Sequence, residues 1–177
     1  WVLEVEDFDP HEPFFAPQRF REPYPTAYQG PTFDWPMYAR VTESQVEIDE
    51  ARANYSALVA MCDAYLGKLL DTFDEQNLWE DTALVVTTDH GFLRGEHDWW
   101  GKNLAPVYDE IARVPLMIYH PKFADRGGER RSALTQVTDL MPTFLDWFGL
   151  DCPPEVTGTS LTPVLESGTK IRDTAIY

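Results

Sequence analysis

One short stretch of the chain, VVTTDHGFLRGEHDWWGKN at residues 85–103, carries a carboxylate, two imidazoles and an ammonium: Asp89, His90, His97 and Lys102. A carboxylate beside a neutral imidazole is a competent pair of donors for a divalent cation. Gly91 lets the backbone turn sharply behind them and approach a ligand closely. Asp-His-Gly by itself reads equally well as a turn, and the residues downstream of it decide between the two. Lys102 is a point cation able to hold a tetrahedral oxyanion or to balance charge on a leaving oxygen. The adjoining Asp-Trp-Trp-Gly argues against a freely solvated lysine, because two indoles usually bury or line something. His97 lies between these elements, in a loop opened by Gly95 and closed by Gly101. Far upstream, DFDPHEPF sets His11 between two prolines; it reads either as a structural loop histidine or as a general acid for a departing group. His120, in IYHP, reads as structural.

These side chains need a scaffold. DTALVVTT, directly before Asp89, has the apolar and β-branched content of a short buried strand. In open α/β sheets ligands sit beyond the carboxyl ends of strands, which is where Asp89 and His90 fall. WVLEVE at residues 1–6 alternates as a strand with one covered face would, placing His11 at a similar edge. Residues 8–40 hold seven of the 14 prolines and nine aromatics, so neither a long helix nor a central strand is expected there. These aromatics (FFAPQRF, FDWPMY) read as packing or as a stacking surface for a sugar or aryl group, with packing preferred. From about Glu43 to Phe73 the period is helical, with Leu58, Cys62, Tyr65, Leu69 and Phe73 on one face and acidic residues early. Asn77 is a plausible stop. RVPLMIYHP predicts a second strand, DRGGERR a turn, and TQVTDLMPTFLDWFGL a helix ended by Gly149, with Pro142 tolerated near its start. Strands alternating with helices predict an α/β fold, a layered sandwich with a largely parallel sheet flanked by helices.

The totals exclude some functions. A net charge of −16 over 177 residues, with 44% apolar and 14% aromatic content, fits a folded globular domain and gives nucleic-acid phosphates no basic stripe to bind. No apolar run approaches the length of a membrane span. Cys62 and Cys152 have no metal-like spacing and make no disulfide framework, which fits a soluble protein in a reducing, cytoplasmic setting, with a single bridge between them as the alternative. The chain opens without an initiator methionine and closes on TKIRDTAIY, which reads as the beginning of a strand. Both ends are expected to be cuts through a larger protein.

The ordered set DPHEPF, the long helix, TTDHGFLRGEHDWWGK, ARVPLMIYHP, TQVTDLMPTFLDWFGL and PPEVTGTSLTPVL resembles the sulfatase family of the alkaline-phosphatase superfamily. The resemblance covers nearly the whole chain. It implies that residues 1–177 are the C-terminal portion of a single sulfatase-like catalytic domain with the alkaline-phosphatase-like fold. It implies Asp89 and His90 as ligands of one divalent metal ion, calcium or alternatively manganese, since His is a softer ligand than the Asn that many sulfatases carry there. It implies Lys102 as the grip on sulfate and leaving oxygen, and His11 as the residue nearest the leaving group. His97 matches the family's Gly-Glu-His element and is carried as a catalytic candidate. Family enzymes attack with a formylglycine made in a Cys/Ser-x-Pro-x-Arg motif. Cys152 begins CPPEV, with Val156 where Arg belongs, and lies on the wrong side of Asp89, so the nucleophile is expected upstream of this chain.

The implied function is metal-dependent hydrolysis of sulfate esters by the parent protein, the fragment alone being inactive. The implied partner is a sulfated small molecule or sulfated sugar. A phosphonate monoester or phosphodiester hydrolase of the same superfamily, and a non-catalytic sulfatase-like domain, are the alternatives.

Overall fold

Ser44 begins the longest element of the chain with a capping box: its side chain faces the backbone of Glu47, while Glu47 Oε2 accepts from the Ser44 N–H at 2.8 Å. Two of the orphan amides of the first turn are satisfied in this way. The helix so capped, α2, runs Gln45–Glu75, and the chain leaves it through Asn77 in the left-handed region at φ 55°, consistent with the stop expected there. The coordinates come from a computed structural model and describe residues 1–175.

The described residues form two units. The first comprises Trp1–Leu78 and His90–Arg113. Its proline- and aromatic-rich segment is mostly loop, with one turn of helix, α1 (Gln18–Arg21), fastened to α2 by Arg21, whose Nε donates to Asn54 at 2.7 Å and whose guanidinium pairs with Glu50 at 2.8 Å. Phe14 is buried edge-on against Tyr55 and Phe92 at 5.3 Å each. This part of the loop is therefore packing. Phe15, Trp35 and Met37 remain exposed. A small hairpin comes next, β2 (Leu93–Arg94) paired antiparallel with β3 (Trp100–Gly101), and then the short helix α3 (Asp109–Ala112). Trp100 is buried, donates its indole N–H to Glu43 at 2.8 Å, and lies edge-on to Phe33.

The second unit comprises Trp79–Asp89 and the chain from Val114 onward. Its strands, β1 (Leu84–Thr87) and β4 (Leu116–Tyr119), pair antiparallel with Val85 opposite Ile118. The helix predicted around Pro142 is a 3-10 turn, Val137–Asp139, running into α4 (Leu140–Trp147), with Pro142 inside the first turn where it costs no hydrogen bond. Gly149, at φ 64°, ends α4; its N–H returns to Asp146 O at 3.0 Å and that of Leu150 to Leu145 O at 2.9 Å. A last helix, α5, spans Thr162–Ser167.

Four expectations change. Both ladders are antiparallel, and no largely parallel sheet forms among the described residues. Between β1 and β4 the chain makes a hairpin and a four-residue helix, and no long helix connects them. WVLEVE forms no strand: it has no ladder partner among the described residues, and Trp1, Val2, Leu3 and Val5 are exposed. On α2, Leu58 and Phe73 are buried but Tyr65 and Leu69 are exposed. The loop, α1 and β2 engage α2 around Glu50, Arg52, Asn54 and Tyr55, toward its N-terminal half. The strand read at the C-terminus is not seen through residue 175, and its last two residues lie outside the described ones. No described helix is long and apolar enough to cross a membrane.

Candidate active site

Two sequence-predicted residues 91 positions apart meet in the first unit: Lys102 Nζ lies 2.6 Å from His11 Nε2. His11 Nδ1 donates to the main-chain carbonyl of Glu12 at 2.8 Å. That bond assigns the Nδ1–H tautomer, so Nε2 is the acceptor and the Lys102 ammonium the donor. The imidazole also lies against the Phe8 ring, centroids 4.2 Å apart.

Beneath this pair sits Glu12, a residue the sequence reading did not single out. It is 3% exposed, its Oε1 stands 4.0 Å from Lys102 Nζ, and its Oε2 stands 3.3 Å from His11 Nδ1. Tyr38 donates its hydroxyl to Oε1. Burial, then this hydrogen bond and the Glu12 charge, push the Tyr38 phenol well above the ordinary tyrosine range. Gly101 makes the arrangement possible. It has φ 104°, and a Cβ there would meet the Tyr38 ring at 2.8 Å, so only glycine lets that ring lie against β3. Glu12 was legible as the neighbour of His11. Tyr38, 26 residues away, gave no signal.

His97 is held elsewhere. Its ring stacks on Tyr108 with centroids 3.8 Å apart and planes 8° from parallel, and its Nε2 lies 3.1–3.2 Å from both Glu110 carboxylate oxygens. The Glu110 carboxylate accepts from its own main-chain N–H and from His97, and both bonds lower its pKa. His97 and Asp98 both adopt positive φ, 56° and 60°, a conformation uncommon outside glycine.

His90 opens this unit's second segment. Its Nδ1 lies 3.0 Å from Gly91 O, which assigns the proton to Nδ1 and the lone pair to Nε2, the form in which imidazole ligates metals. Gly91 donates to Ile111 O at 2.8 Å, and a Cβ at this position would meet Glu110 O at 1.9 Å. The residue must therefore be glycine for the Asp-His-Gly turn to seat against α3. Asp89 ends the second unit's first segment and accepts from Thr88 Oγ1 at 3.3 Å. Among the described residues no group of three or more His, Cys, Asp or Glu side chains has metal-site geometry. Asp89 and His90 supply at most two of the four or more donors that a divalent ion takes. His120, read as structural, is the cap of the turn Pro121–Arg126, accepting from Lys122 N at 3.1 Å.

A family model described as Sulfatase matches residues 8–150. An N-acetylglucosamine-6-O-sulfatase of Bacteroides thetaiotaomicron is 40% identical over 114 residues, 64% of this chain and 20% of that protein. The multifunctional alkaline phosphatase superfamily protein PehA of Trinickia caryophylli is 34% identical over 72% of this chain and 24% of its own length. Among solved structures, a protein in complex with its substrate D-glucosamine-2-N,6-O-disulfate matches with TM-score 0.65 and 35% identity, covering 72% of this chain and 26% of that one. A phosphonate monoester hydrolase from Silicibacter pomeroyi matches with TM-score 0.63 and 37% identity over 71% of this chain and 24% of that one. The chain spans 20–24% of the length of these two curated relatives.

Proposed function

Because the chain belongs to the sulfatase family, we propose that the protein carrying it hydrolyses sulfate esters, with residues 1–177 forming the C-terminal portion of its catalytic domain. The observation that carries this reading is the 2.6 Å contact between Lys102 and His11 over a buried Glu12. An ammonium and an imidazole held together are what a tetrahedral oxyanion and its leaving oxygen require.

Lys102 offsets charge on the ester oxygens as the bond to the leaving group lengthens, and the Lys102–His11 pair supplies the proton the departing alcohol needs. Asp89 and His90 would hold a divalent cation, calcium or manganese, which when bound polarises the ester oxygens. The nucleophile is assigned to a formylglycine elsewhere in the protein, since no Cys or Ser here lies in a Cys/Ser-x-Pro-x-Arg pattern. His97, bonded to Glu110 and stacked on Tyr108, is proposed to shape the loop between Gly91 and Lys102, a narrower role than the catalytic one its sequence element implies. The substrate class is a sulfated small molecule or sugar, as for the relative named a glucosamine sulfatase.

The likeness to a phosphonate monoester hydrolase at 37% identity favours phosphonate esters as the second reading. Initial rates on an aryl sulfate and the matched aryl phosphonate, with and without chelator, test the assignment in the full-length protein. Chelator-sensitive turnover that prefers sulfate is the expected result. Preference for phosphonate supports the second reading, and inactivity on both refutes the hydrolase assignment.

A further inference from the structure

Glu12 is the least expected feature of the first unit: a carboxylate 3% exposed, directly under a lysine and a histidine. Its Oε1 is bonded by Tyr38, but its Oε2 has no hydrogen-bond donor, and the group nearest by charge is His11 Nδ1 at 3.3 Å. A buried carboxylate oxygen without a donor is costly to keep. A neutral residue of similar shape would avoid that cost, so the negative charge itself needs an explanation.

We propose that Glu12 is a positioning residue for the leaving-group step: its buried carboxylate is the fixed counter-charge that keeps a transferable proton on the Lys102–His11 pair, suiting the site to esters of unactivated alcohols such as sugars. This rests on the ester-hydrolase reading above and deepens it. In the resting arrangement the pair carries one positive charge, on Lys102, with His11 Nε2 as acceptor. Oε1 faces that charge at 4.0 Å, and Oε2 faces the imidazole at 3.3 Å, so the carboxylate stabilises the proton at either end of the Nζ–Nε2 contact. As the bond from sulfur to the ester oxygen breaks, its electron pair stays on that oxygen and the sulfuryl group passes to the nucleophilic oxygen. The ester oxygen takes one of the two Lys102 ammonium protons not engaged by His11, while His11 Nε2 keeps the third across the 2.6 Å contact. The pair ends neutral, and water reprotonates Lys102 once the alcohol has left. Tyr38 fixes the carboxylate without competing for the proton, because its phenol stays a donor. Asp9, on the same loop, is the other carboxylate that senses His11.

The test uses the full-length protein and two sulfate esters, 4-nitrophenyl sulfate with a good leaving group and a sugar 6-sulfate with a poor one. General-acid assistance of about 10²–10⁴-fold is needed only where the leaving oxygen is basic. Glu12→Gln is therefore expected to lower kcat/KM on the sugar sulfate at least about tenfold more than on the nitrophenyl ester. Glu12→Asp should recover part of that difference, and Tyr38→Phe should show the same bias more weakly. Equal losses on both esters in Glu12→Gln would mark a merely structural residue and overturn the proposal, as would no loss. If the wild type hydrolyses only phosphonate esters, the sulfatase reading fails while the same ratio on matched phosphonates still judges Glu12. Inactivity on both ester classes refutes both.

Discussion

Replacing Gly91 with alanine asks the smallest possible change to disturb the loop next to His90. The added methyl would meet Glu110 O at 1.9 Å, its carbonyl carbon at 3.0 Å and Ile111 Cα at 3.3 Å, all backbone atoms of α3 that cannot swing aside. Restoring an ordinary contact means that the turn and α3 separate by about 1.5 Å, an overpacking strain worth about 1–3 kcal/mol. The same movement breaks the Gly91 N–H to Ile111 O bond of 2.8 Å, adding about 1 kcal/mol. A loss of about 2–4 kcal/mol results, a large part of an ordinary domain's stability. The catalytic cost is larger than the stability cost suggests, because a displacement near 1 Å at a reacting group costs about 10²-fold in rate. Hydrogen exchange at Ile111, Ala112 and Arg113 reports the loosening of α3, and kcat/KM on an aryl sulfate reports the displaced turn. Gly128→Ala is the control: nothing lies within 4 Å of its Cβ position, so only the penalty of its own positive φ, 81°, which Gly91 does not share, applies, about 1 kcal/mol. If Gly91→Ala leaves exchange and rate within a factor of two or so of the control, the close packing of the turn on α3 is not what positions His90.

Other consequences come from the same geometry. Asp139 is fully buried, gripped by both Arg172 guanidinium nitrogens and by the N–H groups of Thr159 at 2.9 Å and Gln136 at 2.7 Å. Burial would raise its pKa, but Arg172 and those amides outweigh it and hold the carboxyl below the usual range. Its contribution is therefore present above the unfolded value near pH ~4 and lost as pH falls through the native one; amide exchange at Thr159 should accelerate in that acid window, and Asp139→Ala should cost about 3–5 kcal/mol by leaving Arg172 uncompensated. Burial, then Asp7 and Asp9, push the Cys62 thiol up to about 11, whereas Cys152 is exposed. Iodoacetamide at pH ~8 should label Cys152 first, with Cys62 reacting only on unfolding, because the thiolate is the reactive form. Asp89→Ala and His90→Ala should each weaken divalent-ion affinity at least about tenfold by calorimetry, with turnover falling in parallel.

The sequence alone determined where chemistry could sit. A run of β-branched residues before Asp89, a helical period after Ser44, Gly149 as a stop and the spacing of Asp89, His90, His97 and Lys102 are local patterns, governed by dihedral preference and side-chain period. The family emerged from the same run of segments. Pairing direction was not local: antiparallel β1 and β4 have the same apolar content as parallel strands would, and residues 88–115 between them are long enough for either connection. Burial along α2 depended on what lies against it, so Tyr65 and Leu69 match the predicted face in period yet stand exposed. His11 read as two things at once until the fold closed 91 residues of chain and put Lys102 against it. Glu12 and Tyr38 acquired their place from that closure, since a carboxylate becomes a buried counter-charge only where separate segments shut out water around it.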